Sequence, residues 1–445
     1  MYRFRITTGI LTSALLLAVA AAPASSASRP PAPAGHGAMV SVATLPDIGL
    51  AAFQNATLPG TVANDRGVDL GRIGSDLYPA GRSGEYWMIT DRGPNGQIKV
   101  NDKNRRTFPV PEFDPTIVRV RVDGSRMRVL RSIPIRTRSG EPVTGLSNLP
   151  DHDEKPYNYD ATTVLPYNPN GLDTEGLIVA RDGTFWLSEE YSPSVLHVAR
   201  DGRVLARFVP KGLGLTGTGY PVIESLPEIL LTRQGNRGFE SMALAPDGRT
   251  LYTMNQSPLE NPDEDTGEAS RQLRILAIDA RDGKPKAEYV YRMEDVTTFD
   301  PAAEGDQNEM KVSGLVALDR DRLLVDERTD DVAKLYVADL RRATNILGSA
   351  WDDEDTSPSL EQLASPAAGD LVAARKSLAL DLSTIEGVPG KVEGVAVPNP
   401  WTIAVASDND FGMTDGPEAF DENGQLVDSG IESKLVTIRL PRPLH

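Results

Sequence analysis

Asp173-Thr-Glu-Gly-Leu-Ile-Val-Ala180, the turn Arg181-Asp-Gly-Thr184 and Phe185-Trp-Leu-Ser-Glu-Glu-Tyr191 form the stretch that decides the fold. It reads as two short apolar strands joined by a tight turn, with a glutamate near its start and acidic residues at its end. The pattern returns later in the chain. Such a repeat fixes the architecture, because each copy is one structural unit.

The later copies cover residues 239–256, 312–328 and 392–410, and a degenerate earlier copy covers 68–93. Further strand pairs follow the copies and are joined at Asp-Gly turns, which accept the positive φ that tight hairpins require. Two strands from a copy and two from the next hairpin make a four-stranded antiparallel sheet. The sequence therefore predicts an all-β chain folded as a single β-propeller of about five to six four-stranded blades, the sixth hidden in 57–86 or 136–171.

Two further elements complete the predicted fold. Asp370 to Leu382 carries apolar residues at helical spacing and predicts one inserted helix. Met39 to Val42 predicts a strand that pairs with Lys434 to Leu440, near the other end of the chain. Such pairing closes the ring and removes exposed sheet edges.

The N-terminus indicates a secreted, extracellular protein. Arg3 and Arg5 precede an apolar run over residues 10–22, and small residues at 24–27 supply a cleavage site. We interpret 1–27 as a signal peptide, the Pro- and Ala-rich 28–38 as a disordered linker, and 39–445 as the propeller domain. The run is too short for stable membrane insertion.

Composition excludes several functions. The 445 residues contain no cysteine, which rules out disulfides, thiolate zinc sites and a cysteine nucleophile. The net charge is −17, and loss of the two arginines within 1–27 leaves 44 basic and 63 acidic residues, a charge of −19. An acidic surface of this kind repels nucleic acid and favours divalent cations. We expect a monomer that does not bind nucleic acid.

Carboxylates recur at matching places in the copies. Glu175, Glu240 and Glu393 are equivalent, whereas Ser313 breaks the series. Inner strands of a propeller face a common channel, so these side chains are expected to converge. The ends of the second strands add further acids, among them Asp91, Glu189, Glu190, Glu327, Asp408 and Asp410.

Gathered carboxylates take up a proton or hold a cation, and hard oxygen ligands suit Ca²⁺. The predicted catalytic residues are Glu175, Glu189, Glu240 and Glu393. The predicted metal ligands are Asp91, Glu175, Glu240, Glu327, Glu393 and Asp408. The alternative for any one acid is a structural role, in which it accepts backbone N–H bonds or pairs with an arginine between blades.

Arginines beside these acids predict a substrate-binding role. Arg92, Arg237 and Arg328 carry planar groups that bind phosphate or carboxylate oxygens in pairs, although intramolecular ion pairs are the alternative. There is no G-x-S-x-G nucleophile elbow, and the four histidines leave little for a serine triad. Acids and arginines around one channel mouth would form a phosphate-ester site.

Several motifs together resemble the phytase-like family of secreted bacterial proteins, described as esterase-like activity of phytase. They are Thr90-Asp-Arg-Gly93, Asp173-Thr-Glu-Gly176, Gly238-Phe-Glu240 with Pro246-Asp-Gly-Arg-Thr-Leu-Tyr252, and Val392-Glu-Gly394 with Ser407-Asp-Asn-Asp410. The resemblance spans about residues 40–440 and implies a β-propeller with recurring Glu and Asp residues that hydrolyses phosphate esters. Ser241, in place of the family's usual glycine, and Ser313 depart from the pattern.

These inferences predict a secreted, calcium-dependent phosphate-ester hydrolase, a phosphatase or phosphodiesterase with an acidic axial site. Its partner would be a small-molecule phosphate ester. Two alternatives remain open at this point: a non-catalytic binding propeller stabilised by Ca²⁺, and a lactonase-type esterase. Assays on different ester classes, with and without chelator, separate the three.

Overall fold

The computed structural model describes residues 38–71, 73–150, 152–303 and 305–444. The predicted signal peptide, and all but the last residue of the predicted linker, lie outside the described residues. Strands dominate the described chain, and its three α-helices are short: α1 (Leu50–Asn55), α2 (Glu264–Ala269) and α3 (Val296–Phe299). None of the helices in the described ranges has the length and apolar character needed to cross a membrane.

The strands fall into three runs along the chain. The first run comprises β1 (Ala38–Thr44), β2 (Asp76–Pro79), β3 (Glu85–Ile89), β4 (Gly96–Val100), β5 (Lys103–Thr107), β6 (Thr116–Asp123), β7 (Arg126–Pro134) and β8 (Pro156–Tyr157). The second comprises β9 (Thr174–Val179), β10 (Phe185–Glu189), β11 (Ser194–Val198), β12 (Val204–Pro210), β13 (Val222–Leu226), β14 (Phe239–Leu244), β15 (Thr250–Asn255), β16 (Gln272–Asp279) and β17 (Pro285–Arg292). The third comprises β18 (Lys311–Ala317), β19 (Arg322–Arg328), β20 (Ala333–Asp339), β21 (Arg375–Asp381), β22 (Val392–Asn399), β23 (Thr402–Ser407) and β24 (Lys434–Arg439).

Each repeat copy supplies the first two strands of an antiparallel sheet. Strands β14 to β17 and β18 to β21 form two such sheets, and β9 to β12 form another that β13 extends in parallel. An eight-stranded sheet combines β2-β3-β6-β7 with β1-β24-β23-β22, and Thr44 pairs with Arg126 where its halves meet. A small sheet of β4, β5 and β8 stands apart from these.

The first strands of the sheets meet around a common axis. Strand β2 contacts β9, β9 contacts β14, β14 contacts β18, β18 contacts β22, and β22 contacts β2. Apolar side chains fill the space between neighbouring sheets. Ile89 and Leu187, for example, belong to one buried cluster, and Leu324 and Val405 belong to another. Each such side chain stabilises the fold by about 1.5–3 kcal/mol through burial.

The predicted pairing of the two chain ends is confirmed, because β1 runs antiparallel to β24 over Ala38–Thr44. The predicted helix over Asp370–Leu382 is wrong. That segment follows a 3₁₀ turn (Pro366–Gly369) and contains strand β21, which pairs with β20 and places Leu380 in the core. Pairing with an open strand edge outweighs the weak helical preference of the sequence.

The earliest repeat copy also begins later than the sequence suggests. The predicted first strand at 68–71 is absent from the described chain, and the inner strand of this copy is β2, at Asp76–Pro79. Val68 instead packs in the apolar cluster that contains Leu50 and Phe53 of α1. The apolar residues there are buried against α1. A short apolar run does not by itself show whether it is buried as a strand or against a helix.

Candidate functional site

A cavity of about 600 Å³ lies where the inner strands begin and the second strands end. Six of the sequence-predicted site residues line it: Glu175, Glu393, Asp408, Arg92, Arg237 and Arg328. The fold thus brings together residues that are as much as 316 positions apart, from Arg92 to Asp408. The cavity wall is almost wholly polar and carries charges of both signs.

A bulge or register irregularity in the inner strands β9, β14, β18 and β22 sets the direction of the recurring side chain. Phe239 pairs with Asn255 and Ser241 with Met254, so Glu240 is an extra residue without a partner across the ladder. Ser313 and Glu393 occupy the same extra position in their strands, and the ladder of β9 is irregular around Glu175. Bulges commonly re-aim a side chain next to a functional site.

The glycine after the bulge lets the strands approach closely. A Cβ on Gly394 would lie 2.8 Å from the carbonyl oxygen of Gly74, which lies just before the neighbouring inner strand β2. A Cβ on Gly314 would lie 3.0 Å from the carbonyl oxygen of Glu393. Close backbone packing therefore fixes the glutamates relative to one another.

Three buried carboxylates form the acidic part of the site. One oxygen from each of Glu175, Glu190 and Glu240 lies within 4.8 Å of the other two, and no side chain is more than 3% exposed. Among the described residues, the Oε1 atom of Glu190 has no hydrogen-bond partner. Burial, together with the charges of Glu240 and Asp173, raises the pKa of Glu190 well above its ordinary value. Three carboxylates this close hold a proton or a cation.

A second acidic group shares Glu175 with the first and adds Asp91 and Asp173. Its members already have partners. Asp91 accepts a hydrogen bond from the backbone N–H of Gly93, and Asp173 accepts one from the backbone N–H of Arg92.

Two of the predicted arginines are paired with acids. Arg92 lies 3.3 Å from Asp173 and 3.5 Å from Glu154. Arg328 lies 2.6 Å from Glu393 and 3.0 Å from Asp330. Burial alone would lower the pKa of Arg328, but these carboxylates raise it above its ordinary value.

Arg237 differs from the other two. Its Nη1 atom donates to Ser257 Oγ at 2.8 Å and to both oxygens of Asn308 at 2.7 Å, all of which are neutral. Burial and the neighbouring charge of Arg328 lower its pKa from the ordinary value, although Glu190 acts in the opposite direction. Arg237 is thus a partly buried cation in the cavity wall that lacks an ion pair within the described part of the chain.

Ser313, the break in the repeated glutamates, connects the cations to the acids. Its hydroxyl accepts a hydrogen bond from Arg328 Nε at 2.8 Å and lies 3.2 Å from Glu240 Oε1. The short side chain leaves room for the Arg328 side chain to reach Glu393 in the next sheet. A glutamate at this position would occupy that space.

Two of the predicted site residues have other partners, outside the residues that line the cavity. Glu189, predicted as catalytic, pairs with Arg207 and accepts from Ser194. Glu327, predicted as a metal ligand, accepts from Tyr291 and pairs with Lys376. Successive residues of a strand point to opposite faces of the sheet. Glu189 and Glu327 therefore point away from the cavity and are fully buried, whereas Glu190 and Arg328 line it.

The structure adds cavity residues to which the sequence assigned no role. Besides Glu190 they include Arg106, Glu154, Asn236, Lys311 and Lys391. Arg106 comes from the small sheet and is held by Glu154 at 2.8 Å. Neither lies in a repeat copy, so the repeat carried no signal for them. Lys311 directly precedes a copy, and only the folded structure shows that it lines the cavity.

Comparison with known proteins gives one family match. Residues 70–411 match the model of the family described as phytase-like, esterase-like activity of phytase. An uncharacterized secreted protein from Arthroderma benhamiae is 27% identical over 285 residues, which cover 55% of this chain and 56% of that protein. The match thus spans little more than half the length of that relative.

Solved structures show weaker similarity. Regucalcin from Agrobacterium tumefaciens, a calcium-binding protein, is 13% identical with a TM-score of 0.33, covering 84% of this chain and 94% of its own. The α-L-arabinofuranosidase PaAbf62A from Podospora anserina is 8% identical with a TM-score of 0.39, covering 92% and 99%. At these TM-scores neither likeness bears on activity.

Proposed function

The chain belongs to the phytase-like family, and from that premise we propose that it is a secreted hydrolase that cleaves small-molecule phosphate esters in the cavity described above. In this proposal the cyclic array of inner strands forms a propeller of five blades, with the eight-stranded sheet counted as two. Family membership supports the class of reaction. The residues of the cavity support the substrate and the mechanism.

One observation carries the proposal: Glu175, Glu190 and Arg237 line the same cavity, and Glu240 lies beside the two glutamates. Burial lowers the pKa of Arg237, and the negative charge of Glu190 opposes that shift without overcoming it. A phosphate ester needs cationic groups for its oxygens and a means of activating water. Lactone hydrolysis would have no use for several arginines in the wall.

The three glutamates fit Ca²⁺. They offer hard oxygen donors close together, and Glu190 Oε1 has no hydrogen-bond partner in the part of the chain that the structure describes. We propose that Glu175, Glu190 and Glu240 hold the ion, with Glu393 and Asp408 nearby in the same cavity. Bound Ca²⁺ would offset the charge of the phosphate and favour ionisation of a water molecule.

The arginines supply binding and orientation. Arg237 has charge available for a phosphoryl oxygen because its partners are neutral. Carboxylates hold Arg92 and Arg328 in place. These side chains therefore lose little conformational entropy when a substrate binds. Their planar groups can strengthen contacts with the phosphoryl oxygens as charge develops there.

Assays on phosphomonoesters and phosphodiesters, with and without EDTA, test the proposal. We expect turnover that EDTA abolishes and that Glu175→Gln and Glu240→Gln each lower by at least about 100-fold, the scale for loss of an essential group. Activity unaffected by chelator and by both substitutions would refute it. Turnover confined to lactones would favour the esterase alternative.

Secretion is a separate part of the proposal. It is supported by the N-terminal sequence and by the secreted fungal relative. Expression of the full chain in a secretory host should release protein that begins near residue 28. Retention in cells with an intact N-terminus would contradict it.

A further inference from the structure

The surroundings of Arg237 are built from neutral groups contributed by two other segments. Ser257 follows β15, and Asn308 lies in the 3₁₀ turn Gln307–Glu309 that precedes β18. Asn308 offers both its backbone and its side-chain oxygen to the same Nη1 atom, each at 2.7 Å. The remaining guanidinium nitrogens donate no hydrogen bond within the described residues.

Asn308 is itself held in place. Its Nδ2 atom donates to Oε1 of Glu268, in α2, at 2.9 Å. That bond requires an amide, and it fixes which end of the Asn308 side chain faces Arg237. The Asn308 side chain thus lies between the negative charge of Glu268 and the guanidinium of Arg237.

This arrangement contrasts with the other arginines of the cavity. Arg92 and Arg328 each have a carboxylate within 3.3 Å, whereas Arg237 has none within ion-pair distance among the described residues. An aspartate at position 308 would have nearly the same shape and could accept the same bond. It would also form an ion pair with Arg237 and so neutralise the positive charge of that side chain.

We infer that Asn308 is a positioning residue that holds Arg237 through neutral oxygens and so leaves its charge available to an oxyanion such as the phosphoryl group of the substrate. The inference rests on the proposed function and deepens it, because it assigns Arg237 as the principal anion-binding group and Asn308 as the residue that sets its affinity. Arg92 and Arg328 then act as secondary contacts.

Equilibrium binding of inorganic phosphate, measured by calorimetry, tests this without turnover. We expect Asn308→Asp to weaken phosphate binding by about 10-fold or more, the scale of a lost charged hydrogen bond. Asn308→Ala should weaken it by about 3-fold, because the arginine loses orientation but keeps its charge. A purely structural role predicts the reverse order, since aspartate is the closer match in shape.

The Glu268→Gln background removes an ambiguity. In the natural background Asn308→Asp also places two carboxylates side by side, which lowers stability. If the loss of phosphate affinity persists with Glu268→Gln present and the melting temperature restored, it comes from Arg237. If affinity returns with that second substitution, or if Asn308→Asp binds phosphate as well as the unaltered protein, the inference is wrong.

Failure of the inference and failure of the proposed function give different results. The expected order of phosphate affinities in a protein that hydrolyses no phosphate ester would uphold the role of Asn308 and refute the activity. Turnover with a KM unaffected by Asn308→Asp would uphold the activity and refute the role. Phosphate binding absent from the unaltered protein at millimolar concentration would also overturn the inference.

Discussion

The Oε2 atom of Glu189 lies 2.5 Å from Nη2 of Arg207, and neither side chain is exposed to solvent. The same oxygen accepts a hydrogen bond from Ser194 Oγ at 2.8 Å. Burial raises the pKa of Glu189 to about 7, although Arg207 opposes the shift. A glutamate that the repeat marks as catalytic is therefore held in a buried ion pair that ties β10 to β12.

Replacement of Glu189 by alanine should lower stability sharply. Loss of one partner of a buried ion pair leaves the other charge uncompensated and costs about 3–5 kcal/mol. Urea unfolding measures the free-energy change. Asp201→Ala, which removes the partner of the half-exposed Arg203, is the matched control and should change stability little. Equal effects of the two substitutions would contradict the structural role of Glu189.

Calcium should stabilise the folded protein. A ligand at 100 times its dissociation constant adds about 2.7 kcal/mol to the free energy of unfolding. We expect Ca²⁺ to raise the melting temperature, and Glu240→Gln to remove most of that rise because one of three close carboxylates is neutralised. Glu422→Gln, at an exposed position, is the control and should keep the full rise. An equal rise in both variants would place the ion elsewhere.

Ser313→Ala should weaken both the fold and the site. The substitution leaves Arg328 Nε and Glu240 Oε1 without the hydroxyl between them, and a buried polar group without its partner costs about 1–3 kcal/mol. Thermal unfolding gives the stability and turnover gives the effect on the site. Ser377→Ala, on the exposed part of β21, should be close to neutral. A neutral Ser313→Ala would show that Glu393 and Asp330 fix Arg328 without the hydroxyl.

Asp76 should make stability fall as pH rises. Burial raises its pKa to about 7, although backbone N–H groups of Leu177 and Leu77 oppose the shift. Between about pH 4 and pH 7 the folded protein keeps a proton on this carboxyl that the unfolded chain has lost. The contribution of Asp76 to the free energy of unfolding is therefore full below about pH 4 and is lost by about pH 7. The slope is at most about 1.4 kcal/mol per pH unit.

Asp76→Asn isolates that contribution. The amide cannot ionise, so the variant's stability should fall less steeply than that of the unaltered protein over the same pH range. Denaturant unfolding at pH 4.5, 5.5 and 6.5 measures both. Parallel pH profiles would show that the carboxyl of Asp76 does not retain its proton in the folded state.

Much of the architecture follows from local patterns. Alternation of apolar residues predicts the strands, and the repeated turn predicts that they pair in order. The equivalence of Glu175, Glu240 and Glu393 is visible in the sequence for the same reason. The segment Asp370–Leu382 has apolar residues at helical spacing but folds next to the open edge of β20. Pairing with that edge makes it a strand, and the sequence does not show that the edge is there.

The sequence by itself determined the repeat, the strands and the set of acids that recur, because each depends on residues close together in the chain. Only the tertiary structure decided which of two adjacent residues faces the cavity: Glu190 instead of Glu189, and Arg328 instead of Glu327. The register of a strand fixes the face that each side chain presents, and a shift of one residue would exchange the two, which local composition does not reveal. The neutral partners of Arg237 likewise come from segments that meet only when the ring closes.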